Sequence, residues 1–322
     1  MSGPRLAFLG AGAIGEYHAY AARHVGFDLA AVASREGSDR AILFAKKHSF
    51  AHIYNSPSEL LASSDWDALL VCTSAETVLQ YAVTAASSQR PTLLEKPVAL
   101  RSSDILGLLN NDTSNVVVGY NRRQYASVAA AKRFVDESEN VLVTLEIPEA
   151  VDLMSQDKRM GFKQVLKNSV HMLDLLRYII GPVTLLNPQR QSGNLASSGN
   201  VLLAESARGD QIVIKASWNS PSNFSICLES EGRRFSLSPL EIGKLYEGME
   251  VSEPSENNPI RTYSPKLIQE FPCSMGDSLK PGFGEQMRDF RKFIETGEKS
   301  GALADLQDAH QAVLLAEVLI GV

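Results

Sequence analysis

Six residues near the amino terminus read Gly10-Ala11-Gly12-Ala13-Ile14-Gly15, between an apolar run at residues 6–9 and a helical pattern at residues 13–24. In a GxGxxG turn the first glycine permits the tight turn and the second lets the main chain approach a pyrophosphate. The third lets the helix pack closely on the strand. Free N–H groups at a helix start favour anionic phosphates. The stretch therefore predicts a dinucleotide-binding fold with all six residues at the cofactor.

Short apolar runs alternate with helical patterns through the first 120 residues. Further strands are expected at 29–33, 68–72, 92–94 and 116–118, and helices at 40–47 and 76–87. Nearly all-apolar strands separated by helices are typical of a parallel sheet covered on both faces. We therefore predict a doubly wound α/β domain, a Rossmann fold, over residues 1–121.

The pattern changes after Asn121. Helices are expected at 126–135, 164–180, 285–295 and 303–319, and alternating polar and apolar residues at 141–147, 211–218 and 224–229 indicate half-exposed strands. Residues 252–264, rich in Pro, Ser and Asn, predict a surface loop. Residues 122–322 are thus expected to form an α+β domain with an open, mainly antiparallel sheet, whose last helices could pack back on the first domain.

Composition excludes several classes of protein. The 322 residues carry a net charge of -6, which argues against a nucleic-acid partner. No apolar run approaches the ~18 residues of a membrane span, so no membrane partner is expected. The three cysteines are widely spaced and form no CxxC pair, which predicts no metal site and a reduced, cytoplasmic chain.

The end of the second strand bears on the choice of cofactor. An acidic residue there usually holds the ribose 2′-OH of NAD, but this chain has Ser34 and Arg35. Without a carboxylate a 2′-phosphate is not repelled, and Arg35 could pair with it. NADP is therefore favoured slightly over NAD. The alternative is that Arg35 is a solvated loop residue with no role in binding.

Glu95-Lys96-Pro97 ends the strand at residues 92–94. Together with VVGYNRR at 117–123, HMLDLLRYIIG at 171–181 and the helix that begins near Gly284, it resembles the Gfo/Idh/MocA oxidoreductases, the glucose–fructose oxidoreductase and inositol dehydrogenase family. The resemblance extends over most of the chain. It implies a nicotinamide-dependent oxidoreductase acting on a sugar, inositol or nucleotide-linked sugar.

The resemblance also implies roles for single residues. Glu95, Lys96 and Pro97 would lie at the cofactor, with Lys96 beside the nicotinamide and the substrate and Pro97 cis. His171 would face the substrate from the second domain, whose open sheet would make a homodimer or homotetramer.

The chemistry of these side chains agrees with such roles. Moving a hydride from a carbinol carbon leaves a hydroxyl proton to remove, and a histidine titrates in the right range to take it. A lysine can hydrogen-bond the developing alkoxide. In one helix, Lys167, His171 and Asp174 would share a face, so that Asp174 could orient the imidazole. The alternatives are a core histidine and an Asp174 that only pairs locally.

The chain departs from the family pattern at a few positions. Lys167 stands where the family often has an aspartate, Ser169 replaces a glycine, and Thr73-Ser74 replaces Thr-Pro in the cofactor site. If Lys167 and Lys96 lay close together, each would lower the pKa of the other and make a neutral amine available as a base.

A basic loop at residues 156–163 precedes that helix. With Tyr120, Asn121 and Arg122, its Lys158 and Arg159 are expected to bind the substrate, which favours an anionic sugar, although a short charge run is usually a solvated surface. Two other functions stay open: an NAD-dependent glycoside hydrolase, which oxidises its substrate only transiently, and a non-catalytic sensor that kept the nucleotide site.

Overall fold

The computed structural model describes residues 3–186, 198–274 and 279–322. Its residues group into two compact units. Unit 1 comprises Met1–Gln124, Leu166–Asp174 and Gly276–Glu317, and unit 2 comprises Tyr125–Val165, Leu175–Met275 and Val318–Val322. The second domain was predicted as residues 122–322, with last helices that could pack back on the first domain. In the structure residues 279–317 group with unit 1, and so does the internal segment 166–174.

Parallel and antiparallel strands form two separate sheets. The strands are β1 (Arg5–Leu9), β2 (Asp28–Ala33), β3 (His52–Tyr54), β4 (Ala68–Val71), β5 (Thr92–Leu94), β6 (Val116–Val118), β7 (Leu142–Glu149), β8 (Val183–Leu185), β9 (Gly199–Ser206), β10 (Gln211–Trp218), β11 (Ser225–Ser230), β12 (Arg233–Leu237), β13 (Ile242–Ser252) and β14 (Thr262–Pro272).

Helices accompany both sheets. They are α1 (Ala13–His24), α2 (Asp39–His48), α3 (Pro57–Ala62), α4 (Ala75–Ser88), α5 (Ser102–Leu108), α6 (Ala126–Asp136), α7 (Lys158–Gly161), α8 (Val170–Ile180), α9 (Phe283–Thr296) and α10 (Leu306–Ile320). A 3₁₀ turn at Asn121–Gln124 precedes α6, and a π-helical turn at Val165–Ser169 leads into α8.

The sheet of unit 1 confirms the predicted doubly wound fold. Its strands are all parallel, in the order β3-β2-β1-β4-β5-β6, so the chain reverses direction across the sheet between β1 and β4. Such a switch point opens a crevice at the carboxyl ends of the strands, where ligands of this fold bind. The strand β3 and the helices α3 and α5 were not predicted, because these short elements carry little periodic signal.

The sheet of unit 2 is mainly antiparallel, as predicted. Its order is β14-β13-β12-β11-β7-β10-β9-β8, and only the neighbours β7 and β10 are parallel. Alternation along β7 buries Val143, Leu145 and Ile147, while the residues between them are partly exposed. This alternation is the signal by which the sequence predicted a half-exposed strand.

One predicted loop needs correction. Residues 252–264 were expected to be a surface loop, but β13 runs to Ser252 and β14 begins at Thr262, so the connection is only 253–261. The outer parts of both strands are exposed on both faces. Strands of that kind lack the alternation of buried and exposed residues that reveals a strand in a sequence.

Within the described ranges, none of the helices has the length and apolar character needed to cross a bilayer. The cytoplasmic location stays a prediction.

Candidate active site

The glycine turn forms one wall of a cleft of about 450 Å³ in unit 1. Gly10 has φ +105°, and a Cβ there would lie 2.7 Å from the carbonyl oxygen of Cys72, so this position requires glycine. Gly12 precedes α1 and offers no side-chain acceptor to the first N–H groups of the helix. Those donors and the helix dipole therefore stay available to a phosphate.

Most of the predicted cofactor residues line this cleft. They are Gly10, Ala11, Gly12, Ser34, Arg35, Thr73 and Ser74. The predicted residues Ala13, Ile14 and Gly15, in the first turn of α1, do not line the cleft, and neither do Glu95, Lys96 and Pro97. Thr73 Oγ1 is buried there without a hydrogen-bond partner among the described residues. A buried hydroxyl without a partner beside the glycine turn fits a site that binds a polar ligand such as a dinucleotide.

Arg40 was not predicted, yet it lines the cleft together with Arg35. It lies in the first turn of α2, which Ser38 caps by accepting a hydrogen bond from the Ala41 N–H. None of the described lining residues is acidic. The end of β2 therefore presents two cations and no carboxylate to the cleft.

The side chain of Glu95 points into the protein at the end of β5. Its Oε1 lies 2.6 Å from Nε2 of His18, and its Oε2 accepts a hydrogen bond from the Lys96 N–H at 3.2 Å. Lys96–Pro97 is a cis peptide bond, which confirms the expectation from the resemblance. The buried Glu95 side chain thus contacts the turn that contains Lys96 from inside unit 1.

The ammonium of Lys96 reaches the π-helical turn before α8. Lys96 Nζ donates a hydrogen bond to the main-chain oxygen of Lys167 at 3.1 Å. His171, one helical turn further along, was expected in a separate domain from Lys96. The structure corrects this expectation, because residues 166–174 belong to unit 1 together with Lys96.

His171 is 5% exposed, and its ring meets the ring of Tyr120 edge-on at 5.7 Å between centroids. Burial lowers the pKa of His171 well below its usual value, and the positive charges of Lys96, Arg122 and Lys280 lower it further. The imidazole is therefore neutral at neutral pH. Its Nδ1 and the hydroxyl of Tyr120 are buried and have no hydrogen-bond partner in the described part of the chain.

The expectation that Asp174 orients His171 needs correction. Both carboxylate oxygens of Asp174 accept hydrogen bonds from Arg123, at 2.9 and 2.6 Å, and Arg123 also lies 3.1 Å from Asp308. Burial alone would lower the pKa of Arg123, but the charge and hydrogen bonds of Asp174, followed by those of Asp308, raise it. The planar guanidinium can donate two parallel hydrogen bonds to one carboxylate, which explains why Asp174 pairs with Arg123.

Lys167 also differs from the prediction. Lys96 contacts its main-chain oxygen, while its own ammonium lies 3.1 Å from Glu76 Oε1. The main-chain N–H of Glu76, the Lys167 ammonium and the Ser74 hydroxyl lower the pKa of Glu76 to about 2. The two ammonium groups contact different partners, so the geometry does not support a base formed by Lys167 and Lys96 together.

The remaining predicted substrate residues are dispersed. Arg122 lies near His171 and contacts Met172 Sδ at 3.6 Å, but the Asn121 amide donates to the Pro281 carbonyl. Lys158 and Arg159 belong to unit 2, where the Lys158 ammonium donates to the Gly321 carbonyl. Their roles in substrate binding stay predictions.

Besides Arg40, Lys280 was missed from the sequence, because it follows the long strand β14 in the chain and nothing in its local pattern marks it. His18, three residues after Gly15 on α1, was expected to be structural or near the cofactor and not catalytic. In the ranges that the structure describes, no group of three or more His, Cys, Asp or Glu side chains could hold a metal.

Comparison with known proteins agrees with this geometry. Residues 5–120 match the family GFO_IDH_MocA, described as "Oxidoreductase family, NAD-binding Rossmann fold". An inositol 2-dehydrogenase from Pseudomonas savastanoi pv. phaseolicola is 22% identical over 98% of this chain and 93% of its own length. A myo-inositol 2-dehydrogenase from Thermotoga maritima is 25% identical, and the chain spans 55% of that relative's length.

A solved structure extends the likeness in fold to nearly the whole chain. Levoglucosan dehydrogenase in complex with NADH and L-sorbose superposes with a TM-score of 0.75 at 14% identity, over 99% of this chain and 96% of its own. The nucleotide-binding third of the chain thus matches the Gfo/Idh/MocA oxidoreductases, and the solved structure shows that the second sheet also occurs in the same fold.

Proposed function

We propose that the protein is an NAD(P)-dependent dehydrogenase or reductase. It would transfer a hydride between a nicotinamide and a hydroxyl or keto carbon of a sugar, sugar acid or nucleotide-linked sugar. One observation carries the proposal: Lys96 and His171 occupy the same unit, and the Lys96 ammonium lies on the main chain one helical turn before His171. Lys96 follows Glu95 at the end of β5, and β5 is hydrogen-bonded to β4, which the cleft-lining residue Cys72 follows.

Each side chain has a separate proposed role beside the cofactor. The nicotinamide supplies or accepts the hydride when bound. Lys96 hydrogen-bonds the substrate oxygen and offsets the negative charge that develops there. His171, neutral at neutral pH, accepts the hydroxyl proton in the oxidation direction. Tyr120, whose hydroxyl is buried beside that ring, completes the polar wall.

The cofactor is proposed to be NADP in preference to NAD. Arg35 and Arg40 line the cleft after β2, and no acidic residue among the described lining residues would repel a 2′-phosphate. Binding of both cofactors to the wild type and to Arg35→Ala and Arg40→Ala tests this choice. We expect each substitution to weaken NADPH binding and to leave NADH binding nearly unchanged.

The substrate is proposed to carry a negative charge. Lys96, Arg122 and Lys280 all act on His171 through their charges, and cations around a site favour a carboxylate or phosphate. Sugar acids and nucleotide-linked sugars fit this environment better than neutral sugars.

We also propose that the open sheet of unit 2 pairs with a second copy of the chain. Its strands β9 and β13 expose the apolar side chains of Val201, Leu203, Met249 and Val251. Exposed apolar side chains can mark interaction sites, and closed homodimers are the commonest assemblies. Light scattering of the wild type and of Val201→Lys measures the effect on assembly.

The activity is tested with purified protein, both cofactors and a panel of sugars, inositols, sugar acids and nucleotide sugars, followed by absorbance at 340 nm. Net cofactor reduction that disappears in Lys96→Ala and His171→Ala is the expected result. Release of a leaving group without net reduction would instead indicate a glycoside hydrolase. Binding without turnover would indicate a sensor and would overturn the proposal.

A further inference from the structure

A row of five residues follows the strands at the carboxyl edge of the parallel sheet. Strand register aligns the last residues of β2, β1, β4, β5 and β6, so the next residues form the row Ser34, Gly10, Cys72, Glu95 and Gly119. Glu95 alone in this row is acidic. Its neighbours are small, and a Cβ on Gly119 would lie 2.9 Å from Glu95 Oε1. The small residues on either side of Glu95 therefore leave room for its carboxylate at this edge.

Burial of this carboxylate is energetically unfavourable. Glu95 is 6% exposed, and an ionised carboxylate taken out of water costs several kcal/mol unless hydrogen bonds and nearby charges compensate. The compensation that the structure shows is His18 on one oxygen and the Lys96 N–H on the other. A small apolar residue would fill the space at lower cost, so stability alone does not explain a charged residue here.

The contacts of His18 indicate how it holds Glu95. Its Nδ1 is buried without a partner among the described residues, and its ring packs edge-to-face with the Phe283 ring. Nε2 is therefore the ring nitrogen that is placed to donate to the Glu95 carboxylate. His18 thus anchors one oxygen of the buried side chain.

We propose that Glu95, anchored by His18, is the positioning residue for Lys96: its buried carboxylate holds the Lys96 main chain at the strand edge and stabilises the positive charge of the ammonium. The role of Lys96 as the group on the substrate oxygen rests on the proposed function. The Glu95 contacts themselves do not.

The titratable groups around this carboxylate come from several elements. His18 lies on α1, Cys72 follows β4, Lys96 follows β5 and Tyr120 follows β6. The charge of Glu95 raises the pKa of the Cys72 thiol, after the larger effect of burial, and contributes to the raised pKa of Tyr120. Its field therefore acts on both the cofactor cleft and the residues beside His171.

The test measures the Lys96 amine directly and does not need turnover. Each variant is labelled with acetic anhydride over a range of pH, and the acetylated fraction of the Lys96 peptide is read by mass spectrometry. In Glu95→Gln, which keeps the shape but not the charge, we expect the apparent pKa of Lys96 to fall by about one unit. Labelling at neutral pH should therefore be about tenfold faster.

Variants of His18 separate anchoring from packing. His18→Gln retains an N–H donor for Glu95 and should label like the wild type, whereas His18→Leu leaves the carboxylate without that donor and should change the labelling of Lys96. A matched control exists in His48, which is buried and lies 2.7 Å from Glu16, a more exposed carboxylate. Glu16 is not part of the strand-edge row, so His48→Leu should not change Lys96 labelling.

Unchanged Lys96 labelling in folded Glu95→Gln would overturn the positioning role, as would equal effects of His18→Leu and His48→Leu. Absence of turnover in the wild type would overturn the proposed function alone, because the labelling result does not depend on it. If the protein does turn over, the basic limb of its pH–rate profile should move to lower pH in Glu95→Gln.

Discussion

Arg123 and Asp174 face each other through two parallel hydrogen bonds, from Nε to Oδ2 at 2.9 Å and from Nη2 to Oδ1 at 2.6 Å. Their side chains are 4% and 1% exposed. Arg123 lies in the 3₁₀ turn after β6, and Asp174 lies three residues after His171 on α8. The ion pair therefore fixes the helical turn that carries the histidine against the edge of the parallel sheet.

Removing one partner of this ion pair should destabilise the fold. Asp174→Ala removes the carboxylate that pairs with the buried Arg123 guanidinium, and breaking a buried pair in this way costs about 3–5 kcal/mol. Urea unfolding measures the change. As the control, Asp136→Ala removes an exposed pair with Lys132 and should cost less than about 1 kcal/mol. Full stability in Asp174→Asn, together with a shifted His171 titration, would instead support the orienting role predicted from the sequence.

The titration of His171 should be visible in the stability of the protein. Its pKa is lowered by burial and then by the charges of Lys96, Arg122 and Lys280, so the unfolded chain binds a proton below its ordinary value of 6.5 that the folded chain does not. The free energy of unfolding should therefore fall as the pH falls below 6.5, by at most about 1.4 kcal/mol per pH unit from this group.

Replacing the imidazole removes that contribution. Urea unfolding of the wild type and of His171→Gln at several pH values from 7.5 down to about 5 should show a smaller loss of stability in the variant. His52 is exposed, and His52→Gln should retain the wild-type dependence. Parallel curves for the wild type and His171→Gln would show that His171 titrates normally.

The first two glycines of the turn should respond differently to alanine. Gly10→Ala places a Cβ 2.7 Å from the Cys72 carbonyl at φ +105°, so a loss of stability of about 1–3 kcal/mol is expected. At Gly12 the nearest atom to an added Cβ is that same oxygen at 3.9 Å, so the fold should persist.

The Gly12 position faces the cleft, and an added methyl group there would hold the main chain away from a pyrophosphate. Gly12→Ala should therefore bind NADPH at least about tenfold more weakly, a change of about 1.4 kcal/mol. Calorimetry measures the binding and thermal unfolding measures the stability. Wild-type affinity in a folded Gly12→Ala protein would place the cofactor elsewhere.

Local patterns were sufficient to predict much of the nucleotide-binding unit. The glycine turn, the short apolar strands and the cis bond after Lys96 were all predicted from adjacent residues, directly or through the resemblance that they carry. A dinucleotide cradle is built from consecutive main-chain groups, so its signature is contiguous in the sequence.

Partners that are distant in the chain could not be found in this way. Asp174 was expected to face His171 because both lie on one helix, but Arg123 reaches it from 51 positions earlier in the chain. Glu95 and His18 are 77 positions apart in the sequence. Lys280, whose charge lowers the pKa of His171, follows β14 in the chain. Helical spacing identifies neighbours on one element, whereas a buried charge selects the best partner that folding brings to it.

Lys167 and Lys96 should differ sharply when each is replaced by alanine. Lys96 donates to the main-chain oxygen of Lys167, and Lys167→Ala retains that oxygen. The lost ion pair with Glu76 is partly exposed and contributes less than about 1 kcal/mol. We therefore expect Lys167→Ala to keep kcat/KM within a few-fold and to leave the pH profile unchanged.

Lys96→Ala should lower kcat/KM by a factor of about 10² to 10³, because it removes the charge beside the substrate oxygen. Steady-state rates of both variants, measured as a function of pH, test these two expectations. Equal losses in both variants, with a shifted profile in Lys167→Ala, would restore Lys167 as a member of the catalytic pair.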